Sequence, residues 1–221
     1  MKQRIRSVIP RTAKEVERKV SGTGRAADYF VRGKLVGRRH WDSRGELSGE
    51  LSFRNKRAHG IWRRWHSNGQ LMWQTRYENG YEHGVARQWN EKGELIGSYR
   101  MNMGTGVDLW WDSSGKLLAE ERHMLTGERH GFERWWIKRN EISEESHFQF
   151  AKEHGVFRRW SSGKLERGYP KFFIAGTKVT KRRYLSAAKT DATLPPYSAK
   201  DDLPRRRPLS LPLDRARRLV R

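Results

Sequence analysis

One tryptophan recurs at a nearly constant interval through this 221-residue chain. Successive copies lie 24, 24, 22, 25 and 24 residues apart, at Trp41, Trp65, Trp89, Trp111, Trp136 and Trp160. A glycine stands five residues before the tryptophan in every copy except the first. A leucine or isoleucine follows six residues after it, or five in the last copy, at Leu47, Leu71, Leu95, Leu117, Ile142 and Leu165. Periods of this length indicate a repeat architecture, so one structural unit has to be used six times.

Each repeat has the pattern of a β-hairpin. In the clearest copy, residues 61–66 are rich in aromatic and β-branched side chains, and Ser67-Asn68-Gly69 has the composition of a turn. In residues 71–77, every second side chain belongs to one set, Leu71, Trp73, Thr75 and Tyr77, and the side chains between them are Met72, Gln74 and Arg76. This period of two is typical of a strand. Asn79-Gly80 follows, and this dipeptide predicts a two-residue hairpin turn because both central residues need positive φ.

The sequence therefore predicts an all-β fold. Residues 29–177 form an elongated, single-layer antiparallel meander of about six 24-residue hairpin repeats. A thin sheet has to cover a face with its own aromatic side chains, which accounts for ten tryptophans in so polar a chain. Residues 1–28 form a basic segment, in which Thr12 and Glu15 match a capping box and predict a short helix over 13–20. Residues 178–221 form a basic Pro/Arg-rich tail, predicted to be extended because prolines recur from residue 195 onward.

The formal net charge is +22, and most of it lies at the two ends. Residues 1–28 carry eight Lys/Arg against three acids, and residues 178–221 carry thirteen against four. The ends thus contribute +5 and +9, which leaves +8 for the repeats. Such a field favours polyanionic partners: nucleic acid, an anionic membrane surface or an acidic protein.

The composition also excludes several kinds of functional site. Without cysteine, the chain has no disulfide, no Cys-ligated zinc and no thiol nucleophile. There is no apolar stretch typical of a secretory signal and no apolar run near the ~20 residues of a membrane span, so we expect a cytoplasmic protein. Phosphate-binding loops, zinc-binding helices and nucleophile elbows are missing from the sequence. The sequence therefore predicts no enzymatic activity and no cofactor.

A histidine directly precedes the repeat glycine in four copies. These residues are His59, His83, His130 and His154. Equivalent positions lie two strands apart, about 9.5 Å, whereas zinc ligands lie about 2.0–2.1 Å from the metal. We therefore favour a turn residue that hydrogen-bonds the local backbone over a zinc ligand.

An arginine stands two residues before the repeat tryptophan in five copies. These residues, the arginine column, are Arg39, Arg63, Arg87, Arg134 and Arg158. One role is structural, with each guanidinium stacked over neighbouring indoles at about 0.5–1 kcal/mol per contact. The other is functional: with Trp65 and Trp89, the column would form a basic, aromatic-lined surface that binds a partner's phosphates and bases. We favour stacking, because arginine stems on a thin sheet also serve packing, and we retain the column as the candidate partner-binding surface.

More arginines cluster in the basic tail. The candidates for contact with polyanions are Arg182, Arg183, Arg205, Arg206 and Arg207. Arginine chelates phosphate bidentately, so we expect sequence-independent binding with a steep salt dependence. The alternative is a solubilising end with no partner.

The pattern G-x-x-R-x-W-x-x-x-G-x-L, followed by an aromatic residue and N-G-x-x-x-G, resembles the MORN repeat. It is most similar to the variant MORN repeat of bacterial proteins described as antitoxin components of toxin–antitoxin pairs. The likeness covers about residues 29–177 and is clearest over 59–93. It implies a sheet of successive hairpins that serves as a scaffold for proteins or membranes, and the antitoxin variant implies inhibition of a toxin. Mimicry of nucleic acid is disfavoured, because a mimic presents acid and this chain is strongly basic.

The leading functional hypothesis is a non-enzymatic scaffold, protein-interacting or antitoxin-like in the family sense, that binds a protein partner while its basic ends contact polyanions. The alternative is an RNA- or DNA-binding component of a ribonucleoprotein or nucleoprotein complex. Carbohydrate binding on Trp-rich hairpins ranks third, since no export signal accompanies it. Open edges at both ends of the sheet would also permit homo-oligomers.

Overall fold

A computed structural model of the chain describes residues 5–20, 24–115, 117–138 and 141–203. Strands dominate these residues and are numbered here in chain order: β1 (Lys14–Arg18), β2 (Arg25–Val31), β3 (Lys34–Trp41), β4 (Leu47–Arg54), β5 (Arg57–Trp65), β6 (Leu71–Glu78), β7 (Tyr81–Glu82), β8 (Gly84–Trp89), β9 (Leu95–Asn102), β10 (Thr105–Trp111), β11 (Leu118–Leu125), β12 (Glu128–Lys138), β13 (Glu141–Gln149), β14 (Lys152–Glu153), β15 (Gly155–Ser161), β16 (Lys164–Leu165), β17 (Lys171–Ile174) and β18 (Thr177–Val179). One α-helix, α1 (Lys181–Ala187), and a 3-10 helix, Ala199–Asp202, follow them.

The chain divides into two compact units. The described residues up to Gly104, with Ser113–Gly115, form unit 1, which holds β1 to β9. The other described residues form unit 2, which holds β10 to β18 and both helices. In each unit the strands follow one another as an antiparallel meander. The all-β meander of hairpins is thus confirmed, with three repeat hairpins in each unit: β3/β4, β5/β6, β8/β9, β10/β11, β12/β13 and β15/β16.

In the first five repeats, the repeat tryptophan marks a bulged turn at one end of the hairpin. The sixth hairpin keeps its register and closes on the two-residue Ser162-Gly163 turn. In the second copy, the His66 backbone N–H donates to the Gln70 carbonyl, and Gly69 adopts a φ of +81°. Next to this turn, the strand register shifts between Arg64 and Trp65, which indicates a β-bulge. The fourth copy has one extra residue in this turn. Trp111 therefore faces Leu118, and not the expected Leu117.

The other end of each hairpin is a two-residue turn, which we call a tip turn. Asn79 and Gly80 have φ values of +51° and +94°, so the turn predicted from this dipeptide is confirmed. The same conformation recurs at Arg32-Gly33, Asn55-Lys56, Met103-Gly104, Thr126-Gly127, Phe150-Ala151 and Ala175-Gly176. Both turn residues keep positive φ even where neither is glycine.

The predicted N-terminal helix is wrong. Residues 14–18 form strand β1, which pairs with β2 along its length. Glu15 does not cap a helix: its carboxylate accepts a hydrogen bond of 2.7 Å from the Tyr29 hydroxyl and a second one from Arg25. So short a helix gains little on its own, whereas the edge of β2 offers a full row of backbone partners.

The tail is not extended from residue 178 onward. Thr180 caps α1 through its hydroxyl, which accepts from the Arg183 N–H, and Tyr184 on α1 is fully buried. Leu194 is buried beside it, and the Tyr184 hydroxyl donates to the Pro195 carbonyl at 2.6 Å. Prolines preclude regular structure here but not packing on a hydrophobic cluster. Residues 204–221 lie outside the described residues, and with them Arg205, Arg206 and Arg207.

The two faces of the sheet have different chemistry. In unit 1 one face is aromatic: Trp62 packs edge-on against Trp73, with ring centroids 5.0 Å apart, and against Tyr77 at 5.5 Å. Trp73 and Thr75 on this face are buried. The opposite face carries the arginine column and is called the ladder face below.

Candidate functional site

The arginine column lies opposite a second column that faces it across each hairpin. In unit 1, Arg39 on β3 is paired with Glu50 on β4, and Glu50 is paired in turn with Arg63 on β5. The register continues through Gln74, Arg87 and Ser98. Unit 2 repeats the arrangement with Glu121, Arg134, Glu145 and Arg158. We call this row of paired polar residues the ladder.

Glu50 is the centre of the ladder in unit 1. Its side chain is only 2% exposed, and its Oε2 accepts from Arg39 Nε at 3.0 Å. Arg63 lies on its other side, with Nη1 3.9 Å from Oε1, and donates from Nε to Gln74 Oε1 at 2.8 Å. A carboxylate this deeply buried requires paired charge and hydrogen bonds. These arginines are therefore structural partners of Glu50.

Glu145 has the same role in unit 2. Arg134 Nε donates to Glu145 Oε2 at 2.9 Å, and Arg158 Nη1 donates to Glu145 Oε1 at 3.2 Å. Arg134 Nη1 also lies 3.6 Å from Glu121 Oε2. Glu121, Glu145 and Arg158 are all nearly inaccessible to solvent. The ladder of unit 2 is thus an alternating row of buried opposite charges.

An N-terminal segment crosses the ladder face of unit 1. The Ser7 hydroxyl donates to Glu50 Oε2 at 2.7 Å, and the Val8 backbone N–H donates to Oε1 at 3.0 Å. Arg63 Nη1 donates to the Arg6 carbonyl at 2.9 Å. Ile9 sits so close to the backbone of β3 that a methyl group on Gly37 would overlap it. The ladder face therefore binds a polypeptide segment through both backbone and side chain.

A C-terminal segment does the same in unit 2. Arg158 Nε donates to Asp202 Oδ1 at 2.9 Å, and the Trp160 indole N–H donates to the Asp202 carbonyl at 2.7 Å. Asp202 also accepts from the Tyr197 hydroxyl at 2.6 Å. Among the described residues, no neighbouring strand places a carboxylate on the side of Arg158 that faces away from Glu145. Asp202 of the C-terminal segment supplies this carboxylate. Arg158 and Trp160 are each 4% exposed as a result.

The third repeat presents the same pair of residues with no covering segment among the residues that the structure describes. Arg87 and Trp89 are half-buried and occupy the positions that Arg158 and Trp160 hold in the sixth. The ladder neighbours of Arg87 are Gln74 and Ser98, both uncharged. Within the described residues Arg87 forms no ion pair, and the Trp89 indole N–H has no acceptor. Of the five arginines in the column, Arg87 is the one whose ladder neighbours provide no carboxylate.

The stacking predicted for the arginine column occurs on other rings. Arg39 lies over Tyr29, with 5.0 Å between guanidinium carbon and ring centroid, and Arg134 lies over Phe132 at 4.6 Å. In the described chain, no arginine of the column is placed over a repeat tryptophan, and Trp65 is half-buried at the end of β5. Carboxylates, which were not predicted as partners of the column, lie closer to these guanidinium groups than the rings do.

Three of the four histidines that precede a repeat glycine secure a tip turn, whereas the buried Nδ1 of His130 has no hydrogen-bond partner among the described residues. His59 Nδ1 accepts from the Asn79 N–H at 3.5 Å, and His83 Nδ1 accepts from the Met103 N–H at 3.3 Å. His154 Nδ1 accepts from the Ala175 N–H at 3.1 Å. Burial lowers the pKa of His154, against the opposing charge of Asp191, and so favours the neutral ring that can accept this bond. Each of these histidines binds the first residue of the next tip turn, and no three metal-ligating side chains in the described chain are arranged to hold an ion.

Glu120 and Glu121 point to opposite faces, as strand alternation predicts. Glu121 belongs to the ladder, whereas Glu120 contacts Arg122 on the other face, together with Glu133 and Asp108. Desolvation by burial, opposed by Arg122 and reinforced by Glu133 and Asp108, raises the pKa of Glu120 to about 7. The group therefore lies within an ion cluster that also contains Arg122, Glu133 and Asp108.

Two of the predicted tail arginines are accessible. Arg182 and Arg183 are exposed on α1, and neither side chain forms an ion pair with the described residues. Among the described residues, no helix is both long and apolar enough to cross a membrane.

Neither a protein-family model nor a curated protein sequence matches this chain. Two solved structures share a local likeness. One is an S. aureus TarM variant in complex with Fondaparinux, alpha-GlcNAc-glycerol and UDP, at 21% identity and a TM-score of 0.21, and the other is TarM at 15% identity and 0.24. Each match covers 39% of this chain, which spans only 15% and 19% of the two TarM chains. A likeness at this level carries no argument about function.

Proposed function

We propose that the chain is a non-enzymatic, MORN-like repeat scaffold that binds a protein partner on its ladder face. The observation that supports this most is the difference between two equivalent sites. In the sixth repeat, Arg158 and Trp160 hold Asp202 of a docked segment. In the third repeat, Arg87 and Trp89 are half-buried, and no segment among the described residues binds them in this way.

The chemistry of the partner follows from the covered site. The partner is an extended polypeptide segment with an Asp or Glu whose carboxylate pairs with Arg87. The carbonyl of the same residue accepts from the Trp89 indole, as the Asp202 carbonyl does from Trp160. Charge-assisted bonds of this kind contribute more than neutral ones, and a half-buried guanidinium gives them a partly desolvated setting.

A peptide-display selection tests the proposal. A library of extended 12-residue peptides is selected on the full chain, on Arg87→Gln and on Arg64→Gln. Arg64 is exposed and lies on the opposite face of β5, so its variant matches the charge change. Peptides rich in Asp and Glu should be enriched on the wild type and on Arg64→Gln but not on Arg87→Gln. Equal enrichment on all three proteins would contradict the proposal.

The antitoxin-like role and the cytoplasmic location remain predictions from the sequence. Affinity purification of the intact protein, with and without nuclease, would identify a protein partner for the first. If the partner is a toxin whose acidic surface competes with the selected peptides, antitoxin activity is supported. If the partner competes with the peptides but no toxin is inhibited, only the scaffold function is supported.

A second candidate function is nucleic-acid binding through the tail. Arg182 and Arg183 are exposed on α1 beside Lys181, whose ammonium donates to the Tyr197 hydroxyl at 3.2 Å. Three adjacent cations favour phosphate groups. Replacing Arg182 and Arg183 with Gln should lower the affinity for generic RNA at low salt, and unchanged affinity would show that α1 does not bind the RNA.

A further inference from the structure

Six cations meet at the tip-turn end of the first strands of unit 1. They are Lys14, Arg32, Lys34, Arg54, Lys56 and Arg57, which we call the basic edge. Strand pairing brings them together: Lys14 is opposite Phe30, two residues before Arg32, and Val31 is opposite Lys34. All six are exposed, and none forms an ion pair or side-chain hydrogen bond with the described residues.

Two of these cations oppose each other directly. Arg54 at the end of β4 and Arg57 at the start of β5 are the last cross-strand pair before the Asn55-Lys56 turn. Like charges in this arrangement destabilise a hairpin. Lys56, between them, also adopts a φ of +62°, which a non-glycine residue rarely does. The cross-strand pair and the positive φ of Lys56 are both unfavourable for the stability of this turn, and both involve cationic residues. Such departures from local stability are typical of functional sites.

The other tip turns do not share this feature. For five of the six other tip turns, the residues that flank the turn in cross-strand pairs are Val31 and Lys34, Glu78 and Tyr81, Leu125 and Glu128, Gln149 and Lys152, and Ile174 and Thr177. None of these pairs combines two like charges. Among these turns, the like-charged cross-strand pair is therefore specific to the turn between β4 and β5 and is not a property of the repeat.

We propose that the basic edge binds the phosphate backbone of a nucleic acid, independently of the peptide site at Arg87. The row runs over strands β1 to β5, four spacings of about 4.8 Å, or about 19 Å in all. Each strand of a duplex carries one phosphate per about 3.4 Å of helix axis, so an edge of this length spans several phosphates. The number of cations and the length of the row fit a strand of phosphates better than a single phosphate group.

The composition of the edge favours nucleic acid over a lipid surface. Neither the Arg32-Gly33 turn nor the Asn55-Lys56 turn carries an apolar side chain that could enter a bilayer. Peripheral membrane binding combines basic residues with buried apolar area, which these two tips do not offer. Without aromatic groups at the turns to stack on bases, recognition rests on the backbone and is independent of sequence.

Binding of a fluorescent 20-bp DNA duplex to the full chain, by anisotropy from 50 to 200 mM salt, tests the proposal. The test variant is Arg54→Gln/Lys56→Gln/Arg57→Gln. The control is Arg64→Gln/Lys92→Gln/Arg167→Gln, which removes two exposed arginines and one exposed lysine elsewhere. The test variant should bind at least tenfold more weakly at 100 mM salt. Its log–log salt slope should be shallower by about 2 to 3, because each phosphate that is no longer neutralised lowers the slope by about 0.9. A second duplex sequence should bind equally well.

Each of several outcomes would overturn the proposal. Absence of duplex binding by the wild type at 50 mM salt would refute it, and so would equally weakened binding in the test and control variants, which indicates diffuse net charge. Weaker binding confined to Arg182→Gln/Arg183→Gln would place the duplex on α1 and leave the basic edge without a role. Phosphatidylserine vesicles are the last probe. If the vesicles bind through the basic edge and the duplex does not bind, the ligand of the basic edge is a membrane surface and not a nucleic acid. The test variant should keep its melting temperature or raise it, since it removes the Arg54–Arg57 repulsion, so that weaker binding cannot be attributed to unfolding.

Discussion

Arg158 and Asp202 are 44 residues apart in sequence, yet the guanidinium Nε donates to the carboxylate across 2.9 Å. The hydrogen bond completes the ladder of unit 2 with a residue from outside the repeats. It also shows what an arginine of the column binds when no strand supplies the acid. The peptide site proposed at Arg87 rests on this relationship.

Removal of the Asp202 carboxylate should loosen the C-terminal segment. Asp202→Ala leaves the buried Arg158 with Glu145 alone, so we expect a decrease of about 2–3 kcal/mol in the free energy of unfolding, typical of a charged hydrogen bond. Urea denaturation followed by tryptophan fluorescence measures it. Lys200→Ala, in the same 3-10 helix but exposed, should change stability by less than about 0.5 kcal/mol. Similar decreases in both variants would show that the hydrogen bond to Arg158 is unimportant.

Glu50 should control the N-terminal segment. In Glu50→Gln the Ser7 hydroxyl and Val8 N–H lose an ionised acceptor, and Arg39 loses its counter-ion. We expect about 2–3 kcal/mol of destabilisation and at least tenfold faster hydrogen exchange at the Val8 amide. Glu91→Gln is the matched control, since Glu91 is exposed. Unchanged exchange at Val8 would mean that Glu50 does not hold the segment.

Glu120 should make stability depend on pH near neutrality. Its pKa in the folded protein is about 7, against an ordinary value of 4.5, so the native state binds the proton more tightly than the unfolded state does. Its contribution to stability is therefore full below about pH 4.5 and is lost as the pH rises through about 7. Glu120→Gln keeps a neutral side chain and should raise the melting temperature at pH 7.5 more than at pH 5. An equal shift at both pH values would contradict the raised pKa.

His154 should have the opposite dependence. Its pKa is lowered by burial from the ordinary 6.5, so the unfolded chain takes up the proton first as the pH falls. The stability that depends on the neutral ring is therefore lost progressively below about pH 6.5. Titration of the imidazole by NMR should give a midpoint below 6.5 and a ring that shifts together with the Ala175 amide. A midpoint above 6.5 would contradict the lowered pKa of His154.

The hairpins were predictable because their signals are local. Trp65, Gly69 and Asn79-Gly80 fix the two turns of a repeat through φ and bulge requirements that any copy must meet. The ladder joins residues that are further apart in the sequence, but the sequence also contains a pattern that indicates it. A polar residue stands eleven positions after most arginines of the column, as Glu50 does after Arg39. Aligning the second strands of the repeats would have revealed it.

Contacts from outside the repeats could not be predicted in this way. The capping box predicts a helix over 13–20, and pairing of Lys14–Arg18 with β2 overrides that weak local preference. Asp202 reaches Arg158 from a segment that follows two prolines, and no periodicity in the sequence marks it as a partner. Contacts of this kind depend on the tertiary path of the ends.

The most direct test of the peptide site is a double-mutant cycle measured by calorimetry. The reactants are an acidic peptide selected on the wild type and its Asp→Asn or Glu→Gln counterpart, each titrated into wild type and Arg87→Gln. A pair that is half-buried and charge-assisted should give a coupling free energy of about 1–3 kcal/mol, seen as a roughly 5- to 150-fold change in Kd that disappears when either partner is neutral. A coupling energy of zero, with both single changes weakening binding additively or not at all, would show that Arg87 does not receive the acidic residue of the partner.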